Sequence, residues 1–98
     1  MQSLLFTPLK IGDLQIKNRV VMPPMCMYKA KNENGQPRCF HRLHYAARAL
    51  GGVGLIIVEA TAVEPRGRIT SCDLGLWNDE QLEAHARLVK ECVKYGTA

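Results

Sequence analysis

A thiol and a phenol stand two residues apart, Cys26 and Tyr28, directly after the run Arg19-Val20-Val21-Met22-Pro23-Pro24-Met25. The Pro-Pro corner stiffens the backbone that carries them, so both groups can be aimed at little ordering cost. A cysteine so placed could act as a nucleophile, but no histidine is fixed close by in sequence to serve as its base, and the residues alone leave the role of the pair open. A second apolar run ends at Glu59-Ala60-Thr61. A carboxylate there needs a partner or water, either as an acceptor that caps the core or as a site residue. Cys39, His41 and His44 raise the question of a metal, since His41 and His44 at i, i+3 share a helix face. Their spacing matches no zinc pattern, and a crossover helix can also use histidine to pack beside a sheet and bond a carbonyl, so no metal site is expected. His85 reads as a partly exposed helix residue, and Cys72 and Cys92 as small hydrophobes. Gly67 between Arg66 and Arg68 suggests a specific turn.

The elements that must position these groups follow from periodicity. Leu9-Lys10-Ile11 and Leu14-Gln15-Ile16 alternate around Gly12-Asp13, which predicts a hairpin. Val20-Val21-Met22 predicts a strand that stops at Pro23, which has no N–H to donate, while Pro24 biases Pro23 away from helix. Residues 29–37 read as a loop. Phe40, Leu43, Ala47 and Leu50 fall at helical spacing, and Gly51-Gly52 supplies the stop. Those glycines follow a helix and precede a strand, the reverse of a dinucleotide-binding loop. Val53-Gly54-Leu55-Ile56-Ile57-Val58 is apolar at nearly every position, as a strand covered on both faces of a parallel sheet requires. A loop with Pro65 and Asp73 leads to Asn78, which can cap a helix, with Gln81 completing a capping box. In that helix Leu82, Ala86, Val89 and Val93 form the expected core stripe, Glu83 and Arg87 pair on the wet side, and Gly96 ends it. The order βαβα is that of a parallel α/β fold, in which ligands bind beyond the strand C-termini. Two parallel strands close no sheet, so an open edge and part of an apolar face are expected to remain uncovered.

Composition narrows the function classes. The chain has 98 residues, 47% of them hydrophobic and 22% charged, with a net charge of +4, an ordinary globular mixture. Its cations are scattered without the stripe or aromatic interleaving of a nucleic-acid surface. No apolar run approaches the roughly 18–20 residues of a membrane span. The segment Met1-Gln2-Ser3-Leu4-Leu5-Phe6-Thr7-Pro8 lacks a basic start and breaks at Thr-Pro, so no secretion signal is expected. The cysteines are then read as reduced thiols in a cytoplasmic protein.

Taken together, Leu5-Phe6-Thr7-Pro8, the run from Lys17-Asn18 through Arg19 to Tyr28, His44-Tyr45, Arg48-Ala49-Leu50-Gly51, Val53 to Ala60, and Gly67-Arg68-Ile69 resemble the old yellow enzyme family. The form Met25-Cys26-Met27-Tyr28 is similar to its thermophilic-like bacterial branch of NADPH dehydrogenases. The resemblance implies an α/β fold: an N-terminal hairpin and the first two βα units of a TIM (β/α)8 barrel, with residues 1–98 forming part of one FMN-binding domain. It implies an oxidoreductase in which NADPH or NADH reduces FMN and the flavin N5 delivers a hydride to a small activated alkene, within a homo-oligomeric parent. Carried onto this chain, Pro23, Pro24, Met25 and Cys26 would line the isoalloxazine, Ala60 would offer its backbone N–H, Cys26 would tune the flavin by hydrogen bonding near its O4/N5 edge, and Tyr28 would reach toward substrate. None of these is a catalytic residue. Pro23 stands where some relatives have Ser, and Arg42 where an apolar residue is usual. The family's substrate-binding histidines, its Gln and Arg contacts to flavin and its phosphate site have no counterpart in residues 1–98, so weak FMN binding and no activity are expected of the chain alone. The alternative is a non-catalytic partial-barrel module that associates through open strand edges.

Overall fold

The computed structural model describes residues 3–98; Met1 and Gln2, which open the segment read above as lacking a secretion signal, lie outside the described residues. Strands β1 (Leu9–Ile11) and β2 (Leu14–Ile16) pair antiparallel with Leu9 opposite Ile16, and the turn between them is made possible by Gly12 at φ +56°. Strand β3 (Val21–Met22) then pairs in parallel with β4 (Leu55–Ile56), Val21 opposite Leu55 and Met22 opposite Ile56. The Ile57 N–H donates to the Met22 carbonyl at 3.0 Å, which carries the pairing one step further. On the other edge of β4, the Ala98 N–H donates to Gly54 O at 3.1 Å and the Ile56 N–H donates to Ala98 O at 2.8 Å, the pattern of a parallel bridge. β4 is thus bonded on both sides.

The six-residue strand expected over 53–58 is confined to Leu55–Ile56 as a regular ladder, because β3 can offer nothing regular beyond Met22 once Pro23 and Pro24 intervene. Nor is the run covered on both faces, since Ile57 remains 46% exposed. A second parallel pair, β5 (Thr61–Ala62) with β6 (Leu74–Gly75), lies in what the sequence suggested was plain loop. Two residues are too few to show a period. Within that stretch Pro65–Gly67 forms a 3-10 turn, and the Arg68 guanidinium ties it to the Glu33 and Ser71 carbonyls at 3.1 and 3.3 Å. The expected loop over 29–37 contains only a short 3-10 turn, Lys31–Glu33.

Helices α1 (Cys39–Leu50) and α2 (Asp79–Val93) fall where their periodicity places them and pack on each other. Gly52, at φ +102°, ends the first, and the Asn78 side chain caps the second by accepting from the Gln81 N–H at 2.9 Å. The expected capping box is shifted by one residue. Gln81 Oε1 accepts from the Trp77 N–H rather than that of Asn78, and its Nε2 donates to Asn34 O at 2.9 Å, so the buried side chain staples loop 34–35 to the helix start. That loop comes so close that a Cβ on Gly35 would lie 2.6 Å from Gln81 Nε2. Glu83 and Arg87 make no ion pair among the described residues; on α2's surface Lys94 pairs with Glu91 instead, at 2.9 Å.

The helix faces are the larger correction. The face of α1 that is buried carries His41, Tyr45 and Ala49, and that of α2 carries Gln81, Ala84, Leu88 and Cys92. Met22, Tyr45, Ala49, Leu88 and Cys92 make the core, with Met27, Val53, Ile56 and Val58 packed against it. The α2 stripe read as core-facing looks outward, with Leu82, Val89 and Val93 at least half exposed, and so do Leu43 and Leu50, whose spacing marked α1, each 68% exposed. Each helix therefore has two apolar strips, and the one richer in large aliphatics has no partner among the described residues. Leaving such side chains wet forgoes about 1.5–3 kcal/mol apiece. The radius of gyration, 14.6 Å, agrees, exceeding the roughly 13 Å of a compact 100-residue domain.

Candidate functional site

β3 and β4 run parallel and in register, so their C-terminal tips leave the sheet at the same end. The first tip is Pro23 to Tyr28 and the second Val58 to Thr61. The regular ladder ends at Met22 opposite Ile56, and both tips continue from that end. The structure thus puts the two sequence-predicted tips at one mouth. Pro23, Pro24, Met25, Tyr28 and Ala60 are exposed there, while Cys26 and Met27 are half-buried.

The first tip is strained. Tyr28 has φ +55°, left-handed backbone that a bulky residue rarely adopts, at a cost of about 1–3 kcal/mol. Such a conformation persists only where its surroundings hold it. On one side Met27 packs against the core of Met22, Tyr45, Ala49, Leu88 and Cys92. On the other the Ala30 N–H donates to Cys72 O at 3.0 Å.

Glu59 is itself built in. It is only 3% exposed. The Tyr45 hydroxyl donates to its Oε2 at 2.7 Å, and the same hydroxyl oxygen accepts from the Glu59 main-chain N–H at 3.1 Å, so phenol and glutamate hold each other at two points. Burial, chiefly, pushes the Glu59 carboxyl above the ordinary carboxylate range, against the opposing pull of the Tyr45 hydrogen bond. Burial and the neighbouring carboxylate push the Tyr45 phenol up as well.

His41, fully buried, completes the cluster. Its Nδ1 accepts from the Arg38 N–H at 2.9 Å, which assigns the proton of the neutral ring to Nε2. Nε2 lies 3.8 Å from Glu59 Oε1, too far for a hydrogen bond, and has no other partner among the described residues. The approach is not an ion pair: burial first, then the positive charges of His44, His85, Arg38 and Arg42, lower the imidazole pKa to about 4. The Cys39, His41 and His44 grouping is therefore a helix start with a packed histidine. No three potential metal ligands gather among the described residues.

Two of the alternatives left by the sequence are resolved by this geometry. Glu59 is a core-capping acceptor, held at two points by Tyr45 of α1. His41 bonds a backbone amide instead of the expected carbonyl. Tyr45 was not singled out as a functional candidate, although it follows His41 at i+4 on one helix face, a spacing that sets two polar-tipped side chains against the same strand end.

The mouth suits a flat conjugated ring with a polar edge, such as the flavin the resemblance implies. Two exposed proline rings and the Met25 side chain give apolar surface, Cys26 a polarisable thiol, and the Ala60 N–H makes no hydrogen bond among the described residues. An apolar concavity of about 720 Å³ lies elsewhere; Leu82, His85, Ala86, Val89, Lys90, Val93 and Lys94 line it, and no tip residue does. No helix among the described residues is long and apolar enough to cross a membrane.

Comparison with known proteins bears on this mouth. The profile of the NADH:flavin oxidoreductase / NADH oxidase family matches residues 4–98. The NADPH dehydrogenase of Bacillus subtilis (strain 168) is 52% identical over 97 residues, which covers 99% of this chain and 29% of that protein. The NADPH dehydrogenase of Listeria monocytogenes serotype 4a (strain HCC23) is 56% identical over 87 residues, covering 89% of this chain and 26% of the relative. Among solved structures, morphinone reductase superposes with a TM-score of 0.85 at 33% identity, covering 95% of this chain and 24% of that one. Old yellow enzyme from Pichia sp. AKU4542 superposes at 0.87 and 31% identity, covering 96% and 24%. The chain spans less than a third of the length of the relatives it matches.

Proposed function

Because the chain belongs to the NADH:flavin oxidoreductase / NADH oxidase family, we propose that it forms the hairpin and first two βα units of a TIM barrel and supplies one wall of an FMN site in an NAD(P)H-dependent oxidoreductase. The chemistry FMN supplies when bound is hydride exchange, taken from NADPH or NADH and delivered to an activated alkene. Pro23, Pro24 and Met25 offer the ring a flat apolar support, Cys26 sets its thiol beside the polar edge, and the free Ala60 N–H donates from the second tip. Tyr28 is directed toward substrate by its left-handed backbone. The observation that carries this reading is the coincidence of the two tips at the end of one parallel ladder, in a chain whose relatives are NADPH dehydrogenases.

The residues that would grip the FMN phosphate belong in such barrels to later strands, so the chain alone holds FMN weakly and is inactive. Flavin fluorescence titration tests this in two arms. The chain alone should quench FMN little. Grafted in place of the matching 97 residues of the Bacillus subtilis relative, it should restore tight binding, and Cys26→Ala in that graft should shift the flavin potential. Stoichiometric binding by the chain alone, or a folded graft that holds no FMN, would overturn the proposal.

A second reading, a non-catalytic partial-barrel module, is favoured by the exposed aliphatic strips of α1 and α2. It predicts a discrete oligomer whose size is indifferent to FMN.

A further inference from the structure

Beside the first strand tip lies a group of charges for which the flavin wall has no use. Lys29, Lys31, Arg38 and Phe40 line a concavity of about 240 Å³, three cations and an aromatic ring with no carboxylate among them. The lysine and arginine ion pairs among the described residues belong to Arg66 and Lys94, so none of these three cations is neutralised by one. The backbone keeps the two lysines together. Ala30 between them is fully buried, its N–H donates to Cys72 O at 3.0 Å, and its φ of −77° and ψ of 74°, with the Lys31 N–H donating to Lys29 O at 2.9 Å, make an inverse γ-turn. With that centre pinned inside, the flanking lysines are both exposed. The Lys29 ammonium stands 5.7 Å from the centroid of the Phe40 ring, which is itself stacked on His44 at 5.7 Å and 15°. The concavity belongs to the mouth end of the sheet: Lys29 directly follows Tyr28, and His41, next to Phe40, brings its Nε2 to 3.8 Å from Glu59 Oε1 at the second tip.

We propose that this concavity is a subsite for a phosphate monoester at the rim of the mouth, and that the monoester is the 2′-phosphate by which NADPH differs from NADH. The assignment to NADPH rests on the oxidoreductase reading above. Like charges gathered in one small concavity repel one another, and a dianion relieves all three, where a carboxylate or a phosphodiester brings only one negative charge. The Arg38 guanidinium offers a planar fork to two phosphate oxygens, and Lys29 and Lys31 act as point charges beside it. The volume is below the roughly 300–1,000 Å³ of a pocket that takes a whole ligand, so it suits one group of a longer molecule.

Acetylation footprinting of the full 98-residue chain, resolved site by site by mass spectrometry, reads the subsite at Lys29 and Lys31 against Lys10 and Lys90, which are exposed elsewhere. NADP+ should protect Lys29 and Lys31 at about a tenfold lower concentration than NAD+, the effect of one charge-assisted hydrogen bond, with Lys10 and Lys90 unchanged. Arg38→Gln should raise the half-protecting NADP+ concentration about tenfold, while Arg66→Gln, which removes the same charge from an exposed turn, should leave it within about twofold. Equal protection by NAD+ would overturn the proposal, as would Lys10 and Lys90 protected in step, or indifference to Arg38→Gln. Protection by inorganic phosphate at lower concentration than NADP+ would assign the subsite to free phosphate and overturn the assignment to NADPH. No flavin is present, so NADP+ ignored by a chain whose graft still holds FMN rejects this inference and leaves the flavin wall standing.

Discussion

His41 has one ring nitrogen bonded and the other bare, both out of water, and that arrangement sets its response to acid. Its pKa is lowered in the fold from 6.5 to about 4, so between those values the unfolded chain binds the proton that the folded one refuses. Stability contributed by the neutral ring is complete above pH 6.5 and lost as pH falls toward 4, by at most about 3 kcal/mol. Glu59 has the opposite sign: with its folded pKa raised, its contribution is greatest below the ordinary carboxylate range and fades as pH rises through the raised value. Urea unfolding of wild type and His41→Gln at pH 7 and pH 4.5 separates the two. The wild type should lose stability on acidification relative to the variant, whose amide oxygen can still accept from Arg38. At this scale the tips were legible, because Pro23-Pro24 and the polar Glu59 after an apolar run break a pattern visibly. The Tyr45 and His41 partnership was not, since it depends on which face of α1 turns toward the strands, and that is decided in three dimensions.

At the scale of elements, α2 shows how a correct helix can be given the wrong face. Leu82, Ala86, Val89 and Val93 form the more hydrophobic strip, yet Gln81, Ala84, Leu88 and Cys92 are buried. Periodicity ranks strips by apolar content, whereas burial here is settled by what α2 packs on: Leu88 and Cys92 join Met22, Tyr45 and Ala49, and Gln81 bonds loop 34–35. The boundaries were legible from local chemistry: Asn78 before the first turn, Gly52 and Gly96 with positive φ after the last. β5 and β6 were not, being two residues each. The assignment of faces makes a sharp mutational contrast. Leu88→Ala should cost about 2–5 kcal/mol by opening a cavity, while Val89→Lys, one residue along, should stay within about 0.5 kcal/mol in urea unfolding followed by circular dichroism. Equal costs would mean the faces are exchanged.

For the whole molecule, uncovered aliphatic strips on two helices imply that the chain associates. Sedimentation velocity should show concentration-dependent self-association, and Leu82→Lys combined with Val89→Lys should reduce it without loss of helical signal. A monodisperse monomer at all concentrations would contradict the exposure of those side chains. The adhesive flank and the strand-tip region meet at one place: the concavity along α2 is lined by α2 and its cap alone, but Val89 and Val93 also line a smaller one with Val58 of the second tip. Whatever seals the α2 flank therefore also presses on the strand that leads into the second tip. A change at Val89 or Val93 can then alter both how firmly the chain is held and how the second tip is set.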